Sequence, residues 1–444
     1  MIYFDITDII AYAQVHKHVS GIQRVQIRVL QEIHRLYGSR NVRCGYRDAI
    51  TDRYHAACIN DLFPETDAGL QTILTRHEQI RHAWPLSPIL VKQWLVPHQR
   101  HKIRRSLLKT RLYAAAFLRM LAEPGKMKNR AHVVHRLHPH DTLVFLGASQ
   151  LSCELLALVM RHRQQGGRVI QMMHDLIPHV APHFFPPDHR ASYERFLQDA
   201  LSYATDFICV SRSTEHDLRT LPHRAGTQIV TITLAHEFAG FQRGQRGITT
   251  HNPVVLRATQ NTPYVLCVGT IEIRKNGAQL LEAWRRMLQA PQAPNQPRIP
   301  HLVFAGKPGW QTDTFFRTLN AHPELTPHVS LLTDCADQDL AYLYEHCLYT
   351  IYPSLYEGWG LPVGESAWFN RLCVASNHSA IPEVCGDLMV YFEPDNVNDL
   401  IAKALLPLQN PEFLAGKEAA IQQAPLRTWQ NVAKDICQFV NLVA

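Results

Sequence analysis

Short apolar runs alternate with amphipathic stretches along most of the chain. The runs have the length of buried strands, and they lie at residues 142–147, 168–173, 206–210, 263–269, 301–306, 329–332 and 347–352. Between them, apolar residues recur at helical spacing, as in the helix predicted from Gly21 to about Tyr37 with Ser20 as its N-cap. Strands that alternate with helices in this way predict an α/β protein with parallel sheets.

Three segments carry weaker patterns. Residues 2–10 predict a first strand followed by a loop, and residues 40–90 predict a strand near 42–46 and little else. A polar segment with Gly, Thr, Asn and Pro lies in the middle of the chain and is predicted to be an interdomain linker. The predicted division is a first domain over residues 1–240, a linker over 241–262, a second domain over 263–425 and a C-terminal helix over 426–444.

The composition is that of a globular protein that can build two full cores. The chain has 444 residues, of which 46% are hydrophobic. It contains no uninterrupted apolar run of membrane-spanning length, and no basic leader precedes an apolar core at Met1–Asp5, so neither a spanning helix nor a signal peptide is expected. The ten cysteines form no Cys-x-x-Cys pair, which favours reduced thiols and a cytoplasmic location over disulfides or a zinc site.

Positive charge is concentrated in residues 92–136. This segment has twelve Lys or Arg and one acid, Glu123, so it carries about +11, whereas the whole chain carries +7. Three interpretations remain open: a solvated helix packed on its domain, peripheral attachment to the anionic inner face of the cytoplasmic membrane, and nucleic-acid binding. No nucleic-acid-binding motif accompanies the charge, so no nucleic-acid partner is predicted.

The most informative stretch is residues 352–365. A strand ends there, a loop containing Gly358 and Gly360 follows, and Pro362 favours the start of a helix whose first turn contains Glu365. A glycine loop that leads into a helix N-terminus binds anions, because its N–H groups point outward and the helix dipole is positive at that end. This stretch is therefore the leading candidate for a phosphate-binding site.

Two glutamates separated by seven residues flank the glycine loop. Glu365 can offer two acceptor oxygens to a vicinal diol such as that of a ribose, and Glu357 lies where a group attached to the phosphates would sit. Acidic residues near a helix start are common, which is the alternative for Glu365 alone. Together, the two carboxylates and the glycines favour a nucleotide-linked substrate.

Other candidates lie at strand ends, where open α/β sheets bind ligands. His174 follows the strand 168–173, and Arg274 and Lys275 lie where a strand passes into a helix. Two adjacent cations suit a diphosphate and can stabilise the charge that develops as it leaves. Gly21 separates the first strand from the first helix. Each candidate also has an interpretation without ligand binding. Arg274 and Lys275 could be surface residues, and His174 and Gly21 could have only structural roles, in the core and in a turn.

The spacing Glu357-x7-Glu365, with Gly-Trp-Gly-Leu-Pro between the glutamates, resembles the signature of retaining GT-B glycosyltransferases of the GT4 type. The resemblance is strongest over 263–384 and weak or absent over 50–135. The chain departs from the pattern at Trp359, where most members have Phe, and at Gly364, where many have another residue.

The resemblance implies two Rossmann-like domains whose parallel sheets face each other across a cleft, and a nucleotide-sugar donor. The chain also resembles the family in its His-Asp-x-x-Pro, Ser-x-x-Thr and Gly-Thr-x-x-x-Arg-Lys-Asn elements. The second of these includes Arg212, a weak candidate. The catalytic residues that follow are Glu357, His174, Lys275 and Arg274. The donor-binding residues that follow are Glu365, Gly358, Gly360, Leu361, Gly21, Gly269 and Leu332.

We therefore predict a retaining glycosyltransferase that moves a hexose, with GDP-mannose as first choice, to a hydroxyl of a glycan or lipid-linked glycan in cell-surface polysaccharide synthesis. No Asp-x-Asp site is evident, so no metal and no cofactor other than the nucleotide-sugar substrate are expected. The alternatives are a sugar-phosphate phosphorylase or synthase, a catalytically silent scaffold that binds a partner glycosyltransferase, and a peripheral membrane or nucleic-acid binding protein that depends on the basic segment.

Overall fold

The structure is a computed structural model that describes residues 1–14, 19–38, 41–48, 53–63, 70–80, 131–148, 150–260, 262–291 and 297–442. Residues 92–130 of the basic segment lie outside the described residues. Its three interpretations therefore stay predictions. Within the described part of the chain, no helix has the length and apolar character needed to cross a membrane.

The chain divides into two compact units. The first comprises Met1–Met172, Ser202–Asp206 and Cys437–Ala444, and the second comprises Met173–Leu201 and Phe207–Ile436. The predicted domain boundaries stay predictions.

Six strands of the first unit are neighbours in the order β4-β3-β2-β1-β5-β6. They are β1 (Ile2–Asp5), β2 (Val42–Arg47), β3 (Tyr54–Cys58), β4 (Ala131–Val133), β5 (Thr142–Phe145) and β6 (Arg168–Met173). The helices are α1 (Thr7–Ala13), α2 (Gly21–Tyr37), α3 (Ile59–Leu62), α4 (Leu70–Ile80) and α5 (Cys153–Gln164). Pairing is parallel from β2 through β1 and β5 to β6, whereas β3 pairs antiparallel with both β2 and β4.

In the second unit, a sheet of six parallel strands has the order β11-β10-β9-β12-β13-β14. Its strands are β9 (Tyr264–Val268), β10 (His301–Ala305), β11 (Val329–Leu332), β12 (Tyr349–Tyr352), β13 (Cys373–Ser376) and β14 (Val390–Phe392). The unit also contains β7 (Asp206–Cys209) and β8 (Gln228–Thr231), which are neighbours. The central strands β9 and β12 are almost fully buried, as expected for a parallel sheet covered on both faces.

The helices that belong mainly to this unit follow in chain order. They are α6 (Ile177–Val180), α7 (Pro187–Tyr203), α8 (Arg212–Arg219), α9 (Pro253–Thr259), α10 (Gly277–Gln289), α11 (Asp313–Ala321), α12 (Asp337–His346), α13 (Leu361–Trp368), α14 (Ile381–Cys385), α15 (Val397–Gln409), α16 (Pro411–Gln423) and α17 (Trp429–Phe439). Short 3₁₀ turns lie at Pro182–Phe184, Ile273–Lys275, Pro323–His328 and Gly386–Leu388.

One prediction about local structure is wrong, and two further segments contain elements that the hydrophobic pattern does not indicate. The segment after the first strand is helix α1 and not a loop, because its apolar residues Ile9, Ile10 and Ala13 all pack inward. The strand predicted near 42–46 is confirmed as β2, and the described residues that follow it as far as residue 80 also form β3, α3 and α4. Because β3 pairs antiparallel with β2, this sheet is not wholly parallel. The polar segment 241–262 contains α9, and Ile248 and Val255 within it are buried in the core of the second unit.

Candidate active site

The candidate residues converge at the carboxyl ends of two neighbouring strands. Strands β9 and β12 run parallel and pair through Val265 and Leu266. The loop after β9 leads into the 3₁₀ turn that carries Arg274 and Lys275, and the loop after β12 carries Glu357. Because the carboxyl ends of parallel strands meet at one edge of the sheet, these two loops lie side by side.

Glu357 lies at the centre of this edge and is 7% exposed. Its Oε1 accepts hydrogen bonds from Lys275 Nζ, from the Tyr352 hydroxyl at 2.8 Å and from the Ser354 hydroxyl at 2.5 Å. Its Oε2 lies 2.7 Å from Nη1 of Arg274. Four donors thus surround one carboxylate, three at Oε1 and one at Oε2.

The charges in this cluster shift one another's ionisation. Burial alone would raise the pKa of Glu357, but Arg274 and Lys275 outweigh it and lower the pKa to about 2. Burial lowers the pKa of Lys275 below its usual value, because the attraction of Glu357 does not fully offset the loss of water and the repulsion of Arg274. Glu357 is therefore ionised at neutral pH.

Arg274 is held by three groups. Its Nη2 donates to Glu272 at 2.8 Å, its Nη1 donates to the Tyr356 carbonyl at 2.6 Å, and the same Nη1 forms the ion pair with Glu357. The side chain is only 12% exposed. The expectation of two cations at a strand-to-helix junction is met. Both side chains lie beside carboxylates with 12% and 17% of their area exposed, and their predicted roles stay predictions.

Two glycines in this region are required by close backbone approaches. A Cβ on Gly358 would overlap the carbonyl oxygen of His174, so the glycine loop lies directly against the backbone of His174. A Cβ on Gly306 would overlap the carbonyl oxygen of Gly269. Gly360 has φ of +113° at the N-cap of α13, a conformation that favours glycine.

Glu365 is buried, and its Oε2 accepts a hydrogen bond from the Tyr344 hydroxyl at 2.9 Å. The prediction that it lies in the first helical turn is wrong. Helix α13 begins at Leu361, one residue before Pro362, so Glu365 is its fifth residue. The N-cap is Gly360, whose backbone is left-handed.

The departure at Gly364 has a local cause. A Cβ there would lie 3.1 Å from the Cα of His236, which is tighter than ordinary packing allows. His236 is buried between the Val384 carbonyl, 2.6 Å from Nε2, and the Arg427 amide, which donates to Nδ1 at 2.9 Å. Because Nδ1 accepts, the imidazole is neutral with its proton on Nε2, and burial lowers its pKa accordingly.

His174 and Asp175 follow β6 and are brought to the same cluster. His174 is 9% exposed and lies against Gly358. The Asp175 carboxylate accepts from the Ile177 amide at 3.0 Å, and the Tyr193 hydroxyl fixes its carbonyl at 2.6 Å. Burial raises the pKa of Asp175, with Arg274 acting in the opposite direction.

Helix α8 starts as the sequence indicates, with Ser211 as its N-cap accepting from the Thr214 amide at 3.0 Å. The amides of Arg212 and Ser213 donate to the two oxygens of Glu383 at 2.7 and 2.8 Å. This carboxylate takes the place at the helix N-terminus that a ligand anion would use. The Arg212 side chain itself is exposed.

The remaining predicted residues lie outside this cluster. Gly21 is the first residue of α2 in the first unit. Leu332 ends β11 and is buried in the core of the second unit, with its carbonyl accepting from the Gly306 amide at 2.9 Å. Their predicted roles in donor binding stay predictions.

Sequence reasoning missed several members of the cluster. Tyr352, Ser354, Glu272, Asp175 and Glu383 all lie within stretches that were recognised, but none was assigned a role. The available signal was adjacency to a predicted site residue, which does not tell which way a side chain points. Among the described residues, no group of three or more His, Cys, Asp and Glu is arranged to hold a metal ion.

The part of the chain that contains this edge of the sheet is similar to a known protein family. Residues 250–424 match the model for glycosyl transferases group 1. O-antigen chain mannosyltransferase B of Escherichia coli is 29% identical over 269 residues, which cover 60% of this chain and 68% of that protein. The serotype-specific mannosyltransferase WbdA of Escherichia coli is 26% identical over 259 residues, which are 57% of this chain but only 31% of WbdA.

Solved structures agree with this chain along almost its whole length. HepE of Anabaena, in complex with UDP and glucose, superposes with a TM-score of 0.57 at 13% identity and covers 100% of this chain and 99% of that chain. Sucrose-phosphate synthase of Thermosynechococcus elongatus gives 0.57 at 17% identity, with 99% and 98% covered. At such identities the likeness concerns the fold, and it confirms the predicted GT-B architecture. Residues 250–424 thus match a glycosyl transferases group 1 domain, and the chain has the fold of GT-B glycosyltransferases.

Proposed function

We propose that the protein transfers mannose from GDP-mannose, with retention of the anomeric configuration, to a hydroxyl of a glycan or lipid-linked glycan during cell-surface polysaccharide synthesis. One observation carries this proposal: two cations, Arg274 and Lys275, whose side chains are only 12% and 17% exposed, lie beside a glycine loop at the carboxyl edge of the sheet in the matched domain. The choice of mannose rests on the two curated relatives, both named mannosyltransferases.

The cations suit the departing nucleoside diphosphate. In a glycosyl transfer, the bond between the sugar C1 and the diphosphate oxygen breaks, and the leaving group gains negative charge. Arg274 and Lys275 are held by carboxylates before any substrate binds, so little reorganisation is needed when that charge develops. We propose that they act without a divalent metal and together with the backbone amides of residues 358–361.

Glu357 serves as a fixed counter-ion in this proposal and not as a nucleophile. Its carboxylate accepts from four donors, and its pKa of about 2 makes it a weak base. A front-face reaction without a covalent intermediate fits such a residue better than attack on C1. Glu365, fixed by Tyr344, would bind the ribose hydroxyls of the donor.

The experiment is release of nucleoside diphosphate from a panel of GDP-, UDP-, dTDP- and ADP-sugars, with and without mannose-containing glycan or lipid-linked acceptors. We expect turnover of GDP-mannose, a product with the donor's anomeric configuration by NMR, and a loss of at least 100-fold in kcat for Lys275→Met. Lys417→Met is the matched control, because Lys417 donates to backbone carbonyls on the surface of the same unit.

Turnover of another sugar nucleotide would overturn the choice of mannose but leave the site intact. Absence of turnover with every donor, together with absence of any shift in melting temperature, would favour the scaffold alternative. An equal loss in both lysine variants would show that Lys275 acts only through folding.

A further inference from the structure

The hydroxyl of Tyr352 occupies a special position in the cluster. Tyr352 is the last residue of β12 and is only 3% exposed. Its hydroxyl accepts a hydrogen bond from Lys275 Nζ at 2.8 Å and donates one to Glu357 Oε1 at 2.8 Å. The same hydroxyl thus links the ammonium to the carboxylate.

This contact stabilises the ammonium of Lys275, whose side chain is only 17% exposed. A lysine side chain is long and flexible, and burial favours its neutral form. Glu357 supplies an opposite charge, and the Tyr352 oxygen supplies a second acceptor, to which an ammonium N–H binds more strongly than a neutral amine N–H does. An ammonium has three N–H donors, so these two contacts leave capacity for a phosphate oxygen.

The other charged and titratable groups around Lys275 do not replace this contact. Arg274 repels the ammonium, Glu272 attracts it but is already paired with Arg274 at 2.8 Å, and burial of the Cys267 thiol raises its pKa to about 12, so that group is neutral. The Tyr352 ring also faces the ammonium, with Nζ 5.1 Å from the ring centroid.

We propose that Tyr352 is a positioning residue, which keeps the Lys275 ammonium charged and fixed where the diphosphate of the donor binds. The proposal rests on the proposed function for the identity of the anion. Tyr352 acts through Lys275 and does not itself touch the reacting atoms.

The test compares Tyr352→Phe with Tyr349→Phe. Both substitutions remove one hydroxyl from β12 and leave the ring, and the Tyr349 hydroxyl donates to the Ala404 carbonyl at 2.7 Å, away from the cluster. Tyr349→Phe therefore reproduces the loss of a buried hydrogen bond without touching Lys275. The probe is inorganic pyrophosphate, whose affinity is measured by calorimetry at several pH values between 7 and 10.

We expect the Tyr352→Phe protein to lose pyrophosphate affinity about one pH unit lower than wild type, which is the shift that follows from losing one hydrogen bond to a charged group. The ratio of its Kd to that of wild type should therefore rise with pH, toward about tenfold once Lys275 has lost its proton in both proteins. Tyr349→Phe should follow wild type at every pH.

A Kd ratio for Tyr352→Phe that does not change with pH would overturn the proposal, and so would an equal shift in Tyr349→Phe. Failure of wild type to bind pyrophosphate would overturn it as well. Failure of the proposed function is read separately, from sugar-donor turnover, because pyrophosphate binding requires no transfer of a sugar.

Discussion

The substitution Glu357→Gln tests how strongly the buried ion cluster holds the second unit together. The pKa of Glu357 lies at about 2, against an ordinary value of 4.5. The difference of about 2.5 units corresponds to about 3 kcal/mol of folding free energy. Removal of one partner from a buried ion pair has a similar cost, because it leaves the opposite charge uncompensated.

The sign of the effect with pH follows from the direction of the shift. Because the folded-state pKa is lowered, the contribution of Glu357 is complete above about pH 4.5 and is lost as the pH falls toward 2. The destabilisation by Glu357→Gln should therefore be fully developed at pH 6, well above the range in which Glu357 titrates. Urea unfolding followed by tryptophan fluorescence measures it, since five of the seven tryptophans lie in the second unit.

Glu282→Gln is a matched control. Hydrogen bonds from Arg285, with further help from Arg286, lower the pKa of Glu282 to about 2 as well, but its side chain is 27% exposed on α10. Solvent screens such a pair, so we expect a cost below about 1 kcal/mol. Equal costs for the two substitutions, or a cost below about 1 kcal/mol for Glu357→Gln, would refute the reasoning from burial.

Three further substitutions give separate tests. Gly358→Ala should lower the melting temperature and should reduce donor turnover at least tenfold, because the new methyl group has no space. Gly416→Ala is the control: it lies inside α16 with no atom near the new methyl group, so it should leave turnover unchanged and stabilise the protein slightly. Tyr344→Phe should weaken nucleotide binding about three- to tenfold in calorimetry by releasing Glu365, and unchanged affinity would contradict a ribose role for that glutamate. Glu383→Gln should destabilise the protein by about 1 kcal/mol in urea unfolding through the loss of a charged acceptor at the start of α8, and the effect should shrink in high salt.

The sequence predicts the second unit better than the first. The strands at 263–269, 301–306 and 347–352 are each almost wholly apolar, and both faces of their sheet are covered, so local pattern and tertiary environment agree. In the first unit, β3 reads Tyr-His-Ala-Ala-Cys and has no distinctive period, although its side chains are mostly buried. Its place beside β2 follows from a chain reversal that hydrophobic pattern does not reveal.

Within the site, sequence motifs locate the loops but not the contacts between them. Arg274 and Lys275 were expected to face a ligand, whereas the structure pairs both with Glu357. That pairing depends on the adjacency of β9 and β12, two strands that are distant along the chain. Tyr352 was recognised only as the end of a strand, because the direction of its hydroxyl depends on the same adjacency.

The most direct test of the central claim is a crystal structure of the protein with GDP. We predict that the diphosphate lies within hydrogen-bond distance of Lys275 and Arg274, with the glycine loop 358–360 beside it and the ribose on Glu365. A diphosphate bound at another edge of the sheet, with the Arg274, Lys275 and Glu357 cluster untouched, would contradict the assignment of this cluster as the donor site.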